Sequence, residues 1–234
     1  MKDRKILITG ATGDIGKQIT KKVLSKGCSV VGLIRNKKKS INFSEKYFPY
    51  EIDFSNSENI STNLDKIIVE HPEIDSLICC AGFGEFKNIE NFSEKNIREF
   101  INVNLVSQII VSSKIIPILK TKKFGDIIFI GSEAALKGTK KGSLYCAAKF
   151  GLRGFSQSIR EECASRNVKV CIINPGMIRT NFFKNLNFRP GNDLRNAINL
   201  DDITKIVITI LTSDIGTVID EVNISPQKKV IQFL

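Results

Sequence analysis

The chain has 234 residues, is 42% hydrophobic and 25% charged, and carries a net charge of +11. That length allows one large domain or two small ones with a sizeable core, and the composition is ordinary for a soluble globular protein. No stretch approaches 18 uncharged apolar residues, so a membrane span is not expected.

In chain order, "MKDRKILITG" enters a strand-like run at once, without the apolar core and cleavage site of a signal peptide, so a cytoplasmic location is expected. The run "KILIT" ends in "TGATGDIGK", where Gly10, Gly13 and Gly16 recur at three-residue spacing before a helix spanning residues 14 to 26. Glycines there permit a tight turn and close approach of a pyrophosphate, and the helix N-terminus adds free N–H groups. "SVVGLI" follows as a second strand and leads into the basic run "RNKKK", residues 35 to 39. A third strand ends in "YEID" at Asp53, and helices are expected over 57 to 70, 93 to 122, 143 to 165 and 201 to 212. The strands "DSLICC", "DIIFI", "VKVCIIN" and "VIDEVNI" are interleaved with them, several continuously apolar, as in strands covered on both faces. Pro117 is expected to kink the helix over 93 to 122 near its end. The alternation predicts one α/β domain over 1–234, a Rossmann-type doubly wound parallel sheet with helices on both faces and right-handed crossovers. Ligands of such sheets bind beyond the carboxyl ends of the strands.

Six cysteines include no CxxC pair, and His71 is the one histidine. Repeated Cys/His spacings are absent, so no metal is expected and the thiols read as small reduced hydrophobes. His71, in "VEHPEID", is expected to be solvated in a helix-to-strand loop. The basic charge is scattered along solvent faces without interleaved aromatics, so nucleic-acid binding is not expected.

These motifs resemble the short-chain dehydrogenase/reductase family in its compact single-domain form. The family loop TGxxxGxG is matched at Thr9, Gly10 and Gly16, while Asp14 stands at its middle glycine and Gly13 precedes it. The family's NNAG is matched at Ala81 and Gly82, with Cys79 and Cys80 replacing its asparagines. "INVNL" supplies Asn104, "IFIGSEAA" supplies Ser132, and "LYCAAKFG" supplies Tyr145 and Lys149. "INPGMIRT" supplies Pro175, Gly176, Ile178 and Thr180. The match runs the whole chain in order, and the Ser–x12–Tyr–x3–Lys set is specific.

Tyr145 and Lys149, four apart, share one helix face about 6 Å apart along the axis. A cation near the phenol is expected to lower its pKa from about 10, making Tyr145 a general acid or base. The resemblance implies that Ser132 orients a substrate carbonyl, that Lys149 holds ribose hydroxyls, and that Asn104 holds a water linking Lys149 to solvent. It further implies a cofactor cradle of Gly10, Thr12, Gly13, Asp14, Ile15, Gly16, Arg35, Asn36, Asp53, Phe54, Ala81, Gly82, Tyr145, Lys149, Pro175, Gly176, Ile178 and Thr180. An arginine after the second strand suits the 2′-phosphate of NADP, so NADPH is expected over NADH.

Residues 181–199 are expected to form a substrate lid, with Phe182, Phe183, Leu186 and Phe188 on one side and Lys184, Arg189 and Arg195 on the other. This fits a mixed apolar and anionic substrate as well as an exposed basic loop. Ala148, Leu152, Phe155 and Ile159 are expected to face the sheet, leaving the smooth stripe Ala147, Gly151, Gly154 and Ser158. With the family's pairing of this helix, the stripe implies a homodimer or homotetramer; the alternative is contact with a neighbouring helix of the same chain. The resulting expectation is an NADP(H)-dependent oxidoreductase interconverting a carbonyl and a secondary alcohol of a small molecule. The alternative is a non-catalytic NADP-binding sensor or scaffold on the same fold.

Overall fold

A computed structural model describes residues 1–37 and 43–234. Lys38 and Lys39, the end of the basic run, lie outside the described residues. Seven strands form one parallel sheet: β1 (Lys5–Thr9), β2 (Ser29–Ile34), β3 (Tyr47–Glu51), β4 (Ser76–Cys79), β5 (Gly125–Ile130), β6 (Val168–Pro175) and β8 (Glu221–Ile224). Their order is β3-β2-β1-β4-β5-β6-β8, so the winding reverses between β1 and β4. Two further strands, β7 (Phe188–Pro190) and β9 (Ile231–Phe233), pair antiparallel as a separate ribbon.

Both sheet faces are covered, which is why the central strands read as unbroken apolar runs. On one face α1 (Asp14–Ser25) and α6 (Leu200–Thr212) bury Ile19, Val23, Val207 and Ile210 against Ile6, Ile8, Ile128 and Ile173. On the other, α2 (Ile60–Glu70), α4 (Ser107–Lys122) and α5 (Ser143–Ala164) bury Leu64, Ile115, Leu152 and Ile159 against Leu7, Leu77, Phe129 and Ile172. Each such fully buried side chain contributes about 1.5–3 kcal/mol of transfer free energy. Ala148, Leu152 and Ile159 are buried as the helical spacing predicts, and the half-buried Phe155 packs against the same cluster.

The helix expected over 93–122 is one continuous body in two registers. α3 (Glu94–Ile101) passes through a π-helical turn, Asn102–Val106, into α4. It contains Pro117 and runs on past it to Lys122. By length and composition Glu94–Lys122 is apolar enough to cross a membrane. Here Val111, Ile115 and Leu119 pack into the core.

His71 corrects its expectation, because it is buried and not solvated. Its Nδ1 lies 3.2 Å from Lys5 Nζ, and its Nε2 lies 2.8 Å from the Tyr50 hydroxyl. An ammonium only donates, so Nδ1 accepts and Nε2–H donates to Tyr50. Burial pushes the His71 pKa down, keeping the ring neutral. The cysteines are all free, and all but the half-buried Cys80 are buried.

Candidate active site

The site is assembled where β1 and β4 end side by side, with Thr9 opposite Cys79. Thr9 Oγ1 accepts from the backbone N–H groups of Cys80 and Ala81, both at 3.0 Å, and donates to Gln108 Oε1 at 3.1 Å. Gln108 in turn donates to the Val103 carbonyl at 3.2 Å. This network joins the nucleotide loop, the end of β4 and the π turn. Sequence reading missed Gln108, the one amide side chain of α4.

Gly10 has φ +65°, and a Cβ there would lie 2.9 Å from the Ala81 backbone. A Cβ on Gly16 would collide with the Gly10 carbonyl oxygen. Both positions therefore require glycine for close packing of loop, strand and helix. Gly13 caps α1 with no side-chain hydrogen bond. The first-turn N–H groups, which have no intrahelical partner, are thus open to an anion. This cradle fits the pyrophosphate of a dinucleotide.

Asn104 is fully buried in the π turn, accepting from Phe83 N–H at 3.1 Å and donating to the Phe100 carbonyl at 3.1 Å. π turns concentrate at functional sites because the extra residue re-aims a side chain. Ser132 caps a 3₁₀ turn, its Oγ accepting from Ala134 N–H at 3.1 Å. Lys149 Nζ donates to the Ile130 carbonyl at 2.9 Å and sits 5.8 Å from the centroid of the Tyr145 ring.

The electrostatics differ from the sequence expectation. Burial pushes the Tyr145 phenol up to about 12, with the Ser132 hydroxyl pulling the other way. Burial likewise pulls the Lys149 ammonium down to about 8. The shared helix face is present, but desolvation outweighs the attraction expected between phenolate and ammonium. Both groups sit where charge is disfavoured.

A cavity of about 310 Å³ is lined by Ile15, Gly82, Asn104, Ser132, Tyr145, Lys149, Pro175, Gly176, Ile178 and Thr180, so the structure brings these predicted residues together. Gly10, Thr12, Gly13, Asp14, Gly16 and Ala81 flank it in the loop and at the end of β4. Arg35 and Asn36 are exposed directly after β2, and Arg35 has no ion pair among the described residues. Asp53 lies two residues beyond β3, where its Oδ1 accepts from Ser55 N–H at 2.9 Å. Phe54 is buried in the core, so its side chain serves packing.

Of the lid, Phe182, Phe183 and Phe188 line the cavity. Lys184 is exposed, Arg189 donates to Gln232 at 3.3 Å, and Arg195 pairs with Asp193; none belongs to the lining. Besides Lys149, the cations that line it are Lys140, Lys141 and Lys229, which together with Phe86, Ile231 and Phe233 were not expected from the sequence.

The profile of the short chain dehydrogenase family matches residues 4–190. The chain is 35% identical over 184 residues to 3-oxoacyl-[acyl-carrier-protein] reductase FabG of Buchnera aphidicola, covering 77% of this chain and 75% of that one. A metagenomic short-chain oxidoreductase solved with NADP superimposes with a TM-score of 0.83 at 26% identity, over 97% of this chain and 99% of that one. A 4-hydroxyisoleucine dehydrogenase solved with NADH gives 0.85 at 26% identity, over 96% and 98%. Sheet order, buried Ser132–Tyr145–Lys149 set and profile match agree: the chain belongs to the short chain dehydrogenase family of NAD(P)-dependent oxidoreductases.

Proposed function

We propose that the protein interconverts a carbonyl and a secondary alcohol of a small molecule, preferring NADP(H), with Tyr145 as acid/base. The observation carrying this reading is that Ser132, Tyr145 and Lys149 line one cavity at the strand ends, beside an uncapped helix N-terminus. When bound there, the nicotinamide cofactor supplies a hydride to the carbonyl carbon or accepts one from the alcohol.

Ser132 donates a hydrogen bond to the substrate oxygen and orients it. Tyr145, held neutral by burial, gives its proton to that oxygen in reduction. In the oxidative direction Tyr145 must first lose its proton, so oxidation gains on reduction as pH rises. Lys149 lies near the phenol and holds the ribose hydroxyls; Asn104 holds a water that links Lys149 to solvent. The backbone of Gly10, Thr12, Gly13, Asp14, Ile15 and Gly16 holds the pyrophosphate, with Pro175, Gly176, Ile178 and Thr180 on the nicotinamide side. Asp53, Phe54, Ala81 and Gly82 flank the adenosine half. Arg35 and Asn36 face the 2′-phosphate, and Arg35 carries the preference for NADPH. Residues 181–199 act as the substrate lid.

Support for assembly comes from α5, where Ala147, Gly154 and Ser158 are exposed and a Cβ at Gly154 would meet nothing within 4 Å. We infer that a second copy packs there, giving a homodimer or homotetramer.

The test of the chemistry is Tyr145→Phe. Cofactor affinity, read by fluorescence titration, should stay within about twofold of wild type. Turnover of any reducible ketone should fall about a hundred- to ten-thousand-fold. A variant keeping more than about a third of turnover sinks the assignment. A wild type that binds cofactor yet reduces no carbonyl is the non-catalytic binder instead.

A further inference from the structure

We propose that the substrate is a ketone joining an aromatic or similarly bulky apolar body to an anionic group. The inference rests on the carbonyl-reduction reading above and deepens it. Its first support is a continuous aromatic wall leading away from the catalytic phenol. Ring centroids lie 5.3 Å apart for Phe86 and Tyr145, 5.1 Å for Phe86 and Phe188, and 5.8 Å for Phe183 and Phe188. Three separate segments build this wall: the loop after β4, the lid, and the β9 tail, whose Phe233 is paired in register with Phe188. Such packing of edges and faces accepts another ring at similar spacing. A short polar ketone would leave the wall facing water.

The second support is charge. Lys140 and Lys141 line the same cavity, are exposed, and have no ion-pair or hydrogen-bond partner among the described residues. Lys229 is neutralised by Glu133 at 2.6 Å. Beside the buried Lys149, two exposed uncompensated cations thus stand at a largely apolar cavity, whose low-dielectric walls focus their field. They attract a carboxylate or phosphate and repel an ammonium. The lid arginines contribute nothing here, since Arg189 and Arg195 lie outside the lining. The cavity volume of about 310 Å³, part of it needed for the nicotinamide, suits a single-ring body better than a large polycyclic one.

The test is a matched panel reduced with NADPH by the full-length protein. It contains 4-oxo-4-phenylbutanoate, its primary amide, 3-(dimethylamino)propiophenone and 4-oxopentanoate, plus an acetoacetyl group carried on N-acetylcysteamine or on an acidic acyl carrier protein. The carboxylate should exceed its amide in kcat/KM by about fivefold at low salt, shrinking as salt is added. Phenyl should exceed methyl by at least about tenfold. Lys140→Glu combined with Lys141→Glu should erase or invert the carboxylate-to-amide ratio. Phe188→Ala should compress the phenyl-to-methyl ratio, and circular dichroism melts check that both variants fold. Ketones reduced with a carboxylate-to-amide ratio below about two, ratios unmoved in the variants, or preference for the carrier-borne acyl group would overturn this inference and leave the reductase reading standing. Reduction of nothing in the panel, with either cofactor, would remove both.

Discussion

Lys149 carries its charge where charge is costly. Its pKa falls from 10.5 to about 8 because burial penalises the ammonium. That fall corresponds to about 3 kcal/mol of destabilisation below pH 8, where folded and unfolded chains both hold the proton. Between about pH 8 and 10.5 the unfolded chain binds more protons, so the wild type gains stability as pH rises through that window. Lys149→Met should therefore be inactive yet about 1–3 kcal/mol more stable at pH 7, and the gain should shrink by pH 10. Urea melts at the two pH values check this; a variant less stable at pH 7 contradicts it. Arg35 presents the opposite case, an exposed cation awaiting a partner. We expect kcat/KM for NADPH to exceed that for NADH by at least about tenfold, the size of one charged hydrogen bond. Arg35→Asp should erase or reverse the ratio, and equal use of both cofactors by the wild type would reduce Arg35 to surface charge. Tertiary structure adds a neighbour here, since Glu51 accepts from Lys37 N–H at 2.7 Å and fastens the loop carrying Arg35.

At the scale of elements, the departure at Asp14 connects two segments distant in sequence. Its carboxylate accepts from the Asn181 N–H at 2.6 Å and from Asn181 Nδ2 at 3.0 Å. Asn181 opens the 3₁₀ turn that carries Phe182 and Phe183 to the cavity. An acidic residue in a first helical turn is favourable toward the helix dipole, but it also faces the anion a nucleotide loop receives. Asp14→Gly should free the lid, making Lys184 a faster trypsin site. It should also tighten cofactor Kd about three- to tenfold by removing a like charge. Unchanged digestion together with unchanged Kd would show that the contact does neither. The π turn is the other element-scale device: a strict 3.6-residue helix would place Asn104 and Gln108 in a different register from Gly82 and Thr9. Periodicity over 93–122 revealed a helix but gave no sign of the register change, because Asn102, Asn104 and Gln108 find their partners in distant segments, at Ser55, Phe83 and Thr9.

For the whole molecule, the exposed part of the smooth stripe of α5, Ala147, Gly154 and Ser158, is expected to be covered by a second copy, while Gly151 packs against Leu105 of its own chain. Gly154→Arg should split the assembly, since a bulky cation cannot fit between closely packed helices. Light scattering should then fall to one chain of 26.1 kDa. A wild type already at that mass rules the interface out.

The sequence by itself determined the doubly wound sheet and the Ser132–Tyr145–Lys149 set. Apolar runs between turn signals mark doubly covered strands, and one helix turn fixes the Tyr–Lys spacing; both are local properties of the chain. The glycine loop was legible for the same reason, since Gly10 and Gly16 answer local demands for positive φ and close approach. Only the tertiary structure decided the rest. Whether the Tyr145 pKa falls toward its lysine or rises with burial depends on how much water the surrounding elements exclude, and here burial prevails. His71 is buried because β1 and β3 bring Lys5 and Tyr50 to it, not because of its neighbours in sequence. The further lysines lining the cavity belong to the loop before α5 and to the tail, and the lid arginines point their hydrogen bonds elsewhere. Side-chain chemistry is written residue by residue, but solvent exclusion and the convergence of distant segments exist only once the sheet, lid and tail have packed together.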